Sequence, residues 1–141
     1  MSDEFEPEIV VLYCRHSTNG QTGAADAVRK GPGFKARLVM MPCSSKVEIE
    51  HMVKILEGGA DGIQVVGCPG QLCQFLVGNT KAERRTERVR QLLKEIEFGA
   101  ERVAMTRKNG LEEGDLMDIA GRRADAVRTL GPNPMKKTDK P

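Results

Sequence analysis

Four cysteines are the residues of this chain best suited to metal binding or redox chemistry. They are Cys14, Cys43, Cys68 and Cys73, separated by intervals of 29, 25 and 5 residues. The chain begins with an acidic stretch, Met-Ser-Asp-Glu-Phe-Glu-Pro, which has no apolar signal-peptide core, so we expect a cytoplasmic protein. Disulfides are rare in the cytoplasm, and grouped thiols there more often bind a metal or carry electrons. The elements that precede each cysteine decide whether the four can act together.

Each of the first three cysteines lies at or just beyond the end of a predicted strand. Short apolar runs at residues 9–14, 36–41 and 62–67 indicate three buried strands. Cys14 ends the first run, and Cys43 and Cys68 follow the second and third. Because loops that follow parallel strands leave from the same edge of a sheet, this spacing predicts that all four cysteines meet at one site. The alternative is that each cysteine only fills the core, as buried free cysteines often do.

Helical patterns separate the strands. We predict a short helix at residues 24–30 and a second helix that begins at a Ser45/Glu48 capping box and ends at Gly58. A third helix should run from Asn79 or Thr80 to Gly99, and a fourth from about Glu113 to Gly131. A fourth strand is predicted at residues 102–106. Alternating strands and helices predict an α/β fold, namely a three-layer, doubly wound parallel sheet of about four strands, flavodoxin-like or Rossmann-like.

Length and composition fit one small domain. The chain has 141 residues, and we assign residues 8–131 to a single α/β domain, 1–7 to an N-terminal extension and 132–141 to a disordered tail. A net charge of +2 and an aromatic content of 4% argue against a nucleic-acid-binding surface. No run approaches the roughly eighteen apolar residues of a membrane span.

Three kinds of chemistry remain open for the cysteines. Four thiolates can hold a [2Fe–2S] or [4Fe–4S] cluster, and such clusters tolerate varied ligand spacing. Structural zinc usually has two closely spaced cysteine pairs, whereas this chain has only Cys68 and Cys73 close together. A dithiol oxidoreductase would favour C-x-x-C at a helix N-terminus, a motif that the chain lacks. With no evident acid, base or nucleophile beside them, the cysteines favour electron transfer over catalysis by the chain alone.

Other possible ligands and motifs are weaker. Gly31, Gly33 and Ala36 match G-x-G-x-x-A, but they precede a strand instead of following one, so a dinucleotide site is not expected. His16 lies two residues after Cys14 and is either a further ligand or a solvated loop residue. His51 has polar neighbours, which predicts a surface position.

Basic residues mark the helix after the third cysteine loop. The basic stripe consists of Lys81, Arg84, Arg85 and Arg88. It is either a solvated face whose charges pair with Glu83 and Glu87, or a docking surface for an acidic protein partner.

Two segments of the chain resemble a known family signature. Val66-Gly-Cys-Pro-Gly-Gln-Leu-Cys73 and Gly78-Asn-Thr-Lys-Ala-Glu-Arg-Arg85 are similar to the signature of the delta subunit of methyl-viologen-reducing hydrogenase. The resemblance includes Cys14 and Met41-Pro-Cys43 and covers roughly residues 8–130. It implies a small cytoplasmic iron–sulfur protein with a [2Fe–2S] cluster. Such a protein passes electrons between a hydrogenase, formate dehydrogenase or other oxidoreductase and the flavin-containing subunit of a heterodisulfide-reductase-like complex, often in electron bifurcation.

The same resemblance makes Cys14, Cys43, Cys68 and Cys73 the cluster ligands. Family members commonly have further cysteines in the first loop, where this chain has Arg15 and Thr18, and often read His-Pro-Gly-Asp where it reads Pro-Gly-Gln-Leu. The expected role is an electron-transfer subunit of an oxidoreductase complex that is not catalytic on its own. The alternative is a structural adaptor subunit whose cysteine site is empty or holds zinc.

Overall fold

The computed structural model describes residues 6–14, 26–41, 48–67, 78–107 and 111–133. In chain order its elements are β1 (Glu8–Cys14), β2 (Asp26–Gly31), β3 (Phe34–Met41), α1 (Ile49–Glu57), β4 (Gly62–Gly67), α2 (Gly78–Glu95), a 3-10 turn (Ala100–Arg102), β5 (Val103–Arg107) and α3 (Glu113–Arg128). No helix in these five ranges is long and apolar enough to cross a membrane.

The sheet has five strands in the order β2-β3-β1-β4-β5. β3, β1, β4 and β5 are mutually parallel, and β2 is antiparallel to β3. The α/β class is therefore confirmed, whereas a wholly parallel sheet of about four strands is wrong, because an antiparallel strand extends it at one edge.

The predicted helix at 24–30 is also wrong, since Asp26–Gly31 forms the edge strand β2. Pro32 and Gly33 connect β2 to β3, and Gly31 pairs directly with Phe34 across this turn. Gly33 has φ 81°, a left-handed conformation that glycine adopts without steric cost and that tight turns require. Pairing with β3 therefore outweighs the weak helical preference of a short alanine-containing segment.

Helices cover both faces of the sheet. On one face, α3 buries Leu116, Ile119, Ala120, Ala124 and Val127 against Ile9, Val11, Tyr13, Phe34, Ala36, Leu38 and Val66. On the other face, α1 and α2 bury Met52, Leu56, Val89 and Leu93 against Leu12, Met41, Ile63, Val65 and Val103. The alternation of residues along each strand thus divides the core into two layers.

Two predicted helix starts are displaced along the chain. α1 begins at Ile49 with Glu48 as its N-cap, so the predicted start at Ser45 is wrong. α2 begins at Gly78, before the predicted caps Asn79 and Thr80. The predicted start of α3 near Glu113 is confirmed.

A buried polar network lies at the edge of the sheet where the parallel strands begin. We call Asp61, Arg102 and Asn133, which are at most 2% exposed, the N-terminal edge network. The Asp61 carboxylate accepts hydrogen bonds from the backbone N–H groups of Glu8 and Asn133, each 2.8 Å long. The Asn133 side-chain amide donates to the carbonyls of Leu56 and Ala60 at 2.7 and 2.6 Å. The packed domain therefore continues to Asn133, whereas the sequence predicted that a tail begins at residue 132. Residues 134–141 lie outside the described ranges.

Arg102 supplies the cation of this network. Its guanidinium donates to the carbonyls of Asp61 at 3.0 Å, Phe98 at 3.0 Å, and Gly131 at 2.9 Å. Burial lowers the pKa of Arg102, and the nearby negative charge of Asp61 opposes this shift. The segment from Phe98 to Arg102 is thus joined by one side chain to two segments that are distant in sequence, those of Asp61 and Gly131.

Candidate functional site

The parallel register places the ends of three strands side by side. Cys14, the last residue of β1, pairs with Met41, the last residue of β3. On the other side of β1, Tyr13 pairs with Val66, so Gly67 at the end of β4 lies next to Cys14. Neighbouring strands are about 4.8 Å apart. We call the edge where β1, β3 and β4 end the cysteine edge.

The other three cysteines follow these strand ends in the chain. Cys43 comes two residues after Met41, and Cys68 comes directly after Gly67. Cys43, Cys68 and Cys73 lie outside the described residues, and only the backbone of Cys14 is described. Within the described ranges, no group of three or more potential metal ligands is present. That the four side chains meet therefore stays a prediction. The ends of β3, β1 and β4, at or after which Cys43, Cys14 and Cys68 occur in the sequence, lie side by side.

The cysteine edge includes the point where the direction of the chain connections changes. After β1 the chain continues to β2 and β3 on one side of the sheet, and after β4 it continues to β5 on the other side. β1 and β4 are neighbours, and the strands that follow them along the chain lie on opposite sides of this pair. In open α/β sheets a crevice forms at such a point, and ligands bind there. Cys14 ends β1 at this point, and Cys68 follows β4 in the sequence.

An arginine at the cysteine edge connects the sheet to α2. Arg107, the last residue of β5, pairs in register with Gly67, one residue before Cys68. Its guanidinium donates a hydrogen bond to the carboxylate of Glu83 on α2 and forms an ion pair with it. This contact holds the first half of α2 beside the cysteine edge.

The ion pairs described for Glu83 and Glu87 involve residues outside the basic stripe. Glu83 pairs with Arg107, and Glu87 pairs with Arg90 at 3.7 Å. Additional pairing of these glutamates with Lys81 or Arg85 stays a prediction. Arg84 and Arg88 are four residues apart, lie on one face of α2 and are exposed. Neither has an ion-pair partner in the part of the chain that the structure describes. Arg85 is half-buried, and the side chain of Lys81 lies outside the described ranges.

A polar contact behind the cysteine edge was not predicted from the sequence. Gln64 is 2% exposed in β4, where its Nε2 donates to Thr106 Oγ1 and its Oε1 accepts from Arg123 Nε, both at 3.0 Å. Burial lowers the pKa of Arg123, and Glu101, which accepts a hydrogen bond from it, opposes the shift. The available signal was a glutamine within an otherwise apolar strand. These hydrogen bonds join β4 and β5 to α3, so they support the site instead of forming it.

Of the two histidines, only His51 lies in the part of the chain that the structure describes. His51 is exposed on α1, which confirms its predicted surface position. His16 lies outside the described ranges. The cysteines consequently remain the main candidate ligands.

The fold and the site define an α/β domain that carries cysteine-bearing loops at one edge of its sheet. Residues 9–131 match the family model for the methyl-viologen-reducing hydrogenase delta subunit. The chain belongs to this family, which confirms the resemblance noted in the sequence.

Curated relatives match over nearly the whole chain. The vhu iron-sulfur subunit of the F420-non-reducing hydrogenase of Methanococcus maripaludis is 32% identical over 131 residues, covering 93% of this chain and 98% of the relative. The corresponding iron-sulfur subunit of the F420-non-reducing hydrogenase of Archaeoglobus profundus is 35% identical over 132 residues, covering 94% and 96%.

A different kind of relative contains a similar region inside a much longer chain. This relative is one subunit of the ferredoxin/F(420)H(2)-dependent CoB-CoM heterodisulfide reductase of Methanosarcina acetivorans. It is 34% identical over 97 residues, which is 69% of this chain and 12% of that protein. Similarity thus extends both to separate hydrogenase subunits and to one segment of a reductase.

Proposed function

We propose that this chain is an iron–sulfur electron-transfer subunit that binds a [2Fe–2S] cluster at the cysteine edge. The observation that carries the proposal is the register that places Cys14 beside Met41 and Gly67, because Cys43 and Cys68 follow those residues within two positions. Cys14, Cys43, Cys68 and Cys73 provide four thiolates, a donor set that suits such a cluster. The names of two relatives, both called iron-sulfur subunits, support the same assignment.

The cluster, when bound, supplies one-electron redox chemistry. The strands contribute rigidity, since β4 is buried along its whole length and its neighbours hydrogen-bond to it on both sides. Burial and nearby charges set the potential of an iron–sulfur site. Arg107 places a cation at this edge, next to Gly67 in register.

We infer two redox partners. One is a hydrogenase, formate dehydrogenase or other oxidoreductase subunit that supplies an electron. The other is a flavin-containing heterodisulfide-reductase-like subunit that accepts it. We place these subunits together in a cytoplasmic complex capable of electron bifurcation. The family match supports the first partner. Similarity to a segment of a CoB-CoM heterodisulfide reductase supports the second partner. A domain that forms part of a longer chain in one organism often binds the corresponding protein where the two are separate chains.

The basic stripe is the proposed docking surface. Arg84 and Arg88 are exposed without ion-pair partners in the described ranges, and Lys81 and Arg85 belong to the same part of α2. The Arg107–Glu83 contact holds this part of the helix near the cysteine edge. An acidic partner bound there lies close to the cluster, which electron transfer requires.

The strand order supports a doubly wound fold of the flavodoxin-like type. Without β2, the parallel strands β3-β1-β4-β5 follow the order 2-1-3-4. These are the first four positions of the flavodoxin-like order, whose ligand site lies at the equivalent change of direction.

Anaerobic reconstitution tests the cluster directly. We expect the full chain to bind about two iron and two acid-labile sulfide per molecule and to give a paramagnetic signal when reduced. Cys68→Ser should lose most of this iron, since it removes one thiolate beside Gly67, whereas Gln71→Ser in the same loop should retain it. Protein that stays colourless and free of iron contradicts the proposal. Stoichiometric zinc without sulfide favours the adaptor alternative instead.

A further inference from the structure

We propose that a groove over the first half of β3 binds an extended acidic segment of a partner protein. The β3 groove is a cavity of about 570 Å³ between α1 and the strands β1, β3 and β2. Val10, Val28 and Val39 line its floor, and Lys35, Arg37 and Lys54 line its rim. The groove lies away from the basic stripe, so the proposal goes beyond the electron-transfer function and does not depend on it.

The groove exists because one face of the sheet is covered unevenly. Along β3, Phe34, Ala36 and Leu38 are buried beneath α3, whereas Lys35 and Arg37 on the opposite face are exposed. α1 and α2 cover the other half of that opposite face, where Met41 and Leu12 are buried. None of the three helices that the structure describes therefore covers the beginning of β3 and the adjacent β2 on this face.

The floor of the groove is apolar and reaches the edge of the sheet. Val10 and Val39 are half-buried and pack against the core beneath α1. Val28 is 55% exposed on β2, and it pairs across the strands with Arg37, so both side chains share the groove face. β2 pairs with β3 alone among the described strands. An exposed valine on an edge strand is a feature that proteins usually cover, because it invites association.

The charge of the rim specifies the occupant. Three cationic side chains, those of Lys35, Arg37 and Lys54, line the groove together with one carboxylate, that of Glu8. Within the ranges that the structure describes, neither Lys35 nor Lys54 has an ion-pair partner. Lys30 on β2, by comparison, pairs with Glu6 at 3.7 Å. Lys35 and Lys54, at the rim of an apolar floor, favour a segment that combines carboxylates with aliphatic side chains.

The dimensions of the groove are sufficient for a short extended peptide. The floor crosses β2, β3 and β1, which are consecutive in the sheet, and three such strands span about 10 Å between the outer two. About three residues of extended chain cover this length. Alternate side chains of such a segment point in the same direction, so apolar residues can contact the valines while flanking carboxylates reach the two lysines.

Titration of the ¹⁵N-labelled full chain with peptides tests the proposal. The probes are an acetylated and amidated Glu-Val-Glu-Val-Glu-Val peptide, the matching Lys-Val-Lys-Val-Lys-Val peptide, and ATP as a small polyanion. We expect the acidic peptide alone to shift amide signals, and only those around Val10, Val28, Lys35, Val39 and Lys54. Raising the salt concentration to about 0.5 M should weaken binding, because the charges on the rim are exposed to solvent.

A pair of charge reversals provides the matched comparison. Lys35→Glu with Lys54→Glu should weaken binding of the acidic peptide by about tenfold at low salt, since two attractions become repulsions. Lys94→Glu with Arg122→Glu changes the net charge equally at positions outside the groove and should leave binding within about twofold. Circular dichroism of both variants establishes that they remain folded.

Four results would overturn the proposal. They are no shifts with millimolar acidic peptide, equal shifts with the lysine peptide, binding of ATP in preference to the peptide, and concentration-dependent shifts without peptide, which indicate a second copy of this chain in the groove. None of these measurements uses the cluster or a redox partner, so their failure leaves the proposed electron transfer intact.

Discussion

Two arginines lie at opposite ends of β5, and their surroundings differ completely. Arg102, directly before the strand, is 1% exposed and donates hydrogen bonds to the carbonyls of Phe98, Asp61 and Gly131. Arg107, the last residue of the strand, is exposed and forms its ion pair with Glu83 alone among the described residues. The edge where the strands begin is thus stabilised by buried polar contacts, whereas the contact that Arg107 makes at the cysteine edge is an ion pair on the surface of the described part of the chain.

Replacing each arginine by methionine is the strongest test of this difference. Arg102→Met should lower the free energy of unfolding by about 3–4 kcal/mol, because several buried carbonyls lose their donor and Asp61 loses its nearby cation. Arg107→Met removes one exposed ion pair and should cost less than about 1 kcal/mol. Urea denaturation of the two variants measures both values. Equal losses would remove the distinction between the edges.

Shortening the chain tests whether the N-terminal edge network depends on its last member. A chain ending after Leu130 lacks Asn133 and the Gly131 carbonyl, and it should be less stable by about 2–3 kcal/mol, since three hydrogen bonds to buried groups are lost with Asn133. A chain ending after Asn133 retains these contacts and serves as the control. Thermal and urea denaturation should show full-length stability for the control; a similar loss in both chains would contradict the role of Asn133.

Charge reversal on α2 tests the proposed docking surface beside the cysteine edge. Arg84→Glu with Arg88→Glu should weaken binding to the heterodisulfide-reductase-like subunit by about tenfold at low salt, and by less at high salt, because exposed charges are screened. Lys94→Glu with Arg122→Glu is again the control of equal charge. Isothermal titration with the purified partner protein measures the effect, and unchanged affinity would reject the basic stripe as a docking surface.

A single hydroxyl gives the smallest expected effect. Thr86 on α2 is 2% exposed, and its Oγ1 has no hydrogen-bond partner in the described part of the structure. Thr86→Val keeps the shape of the side chain and removes an unsatisfied polar atom, so it should raise the free energy of unfolding by about 0.5–1 kcal/mol. Ser in place of Thr86 keeps the hydroxyl and should give no gain. A loss of stability in the valine variant would indicate that the hydroxyl has a partner in solution.

Local sequence patterns predicted the parallel strands well. β1, β3 and β4 contain short apolar runs, which can be recognised from the local sequence without knowledge of their partners in the fold. The ends of these runs therefore indicated where the cysteine edge lies. β2 was not predicted, because its residues carry a weak helical signal and only pairing with β3 makes them a strand.

Long-range polar contacts escaped prediction for a different reason. Arg102 and Asp61 are 41 residues apart, and Asn133 and Asp61 are 72 apart. Charged and amide residues near loops look like surface residues in a sequence, and only the folded chain shows that they are buried together. The residues of the basic stripe do lie on a helix, as predicted. The partner of Glu83 is Arg107 at the end of β5, and the partner of Glu87 is Arg90 in the next turn of α2.

One carboxylate has a consequence for how this domain can be joined to other proteins. Asp61 binds the backbone of Glu8 with one oxygen and the backbone of Asn133 with the other. The polypeptide therefore enters and leaves the domain at the same place, about 20 Å along β1 from Cys14. A domain with neighbouring entry and exit points can be inserted into a longer protein without distortion. Its opposite end, the cysteine edge, would then point away from both points of attachment, an arrangement that suits a unit similar to 12% of a much larger reductase chain.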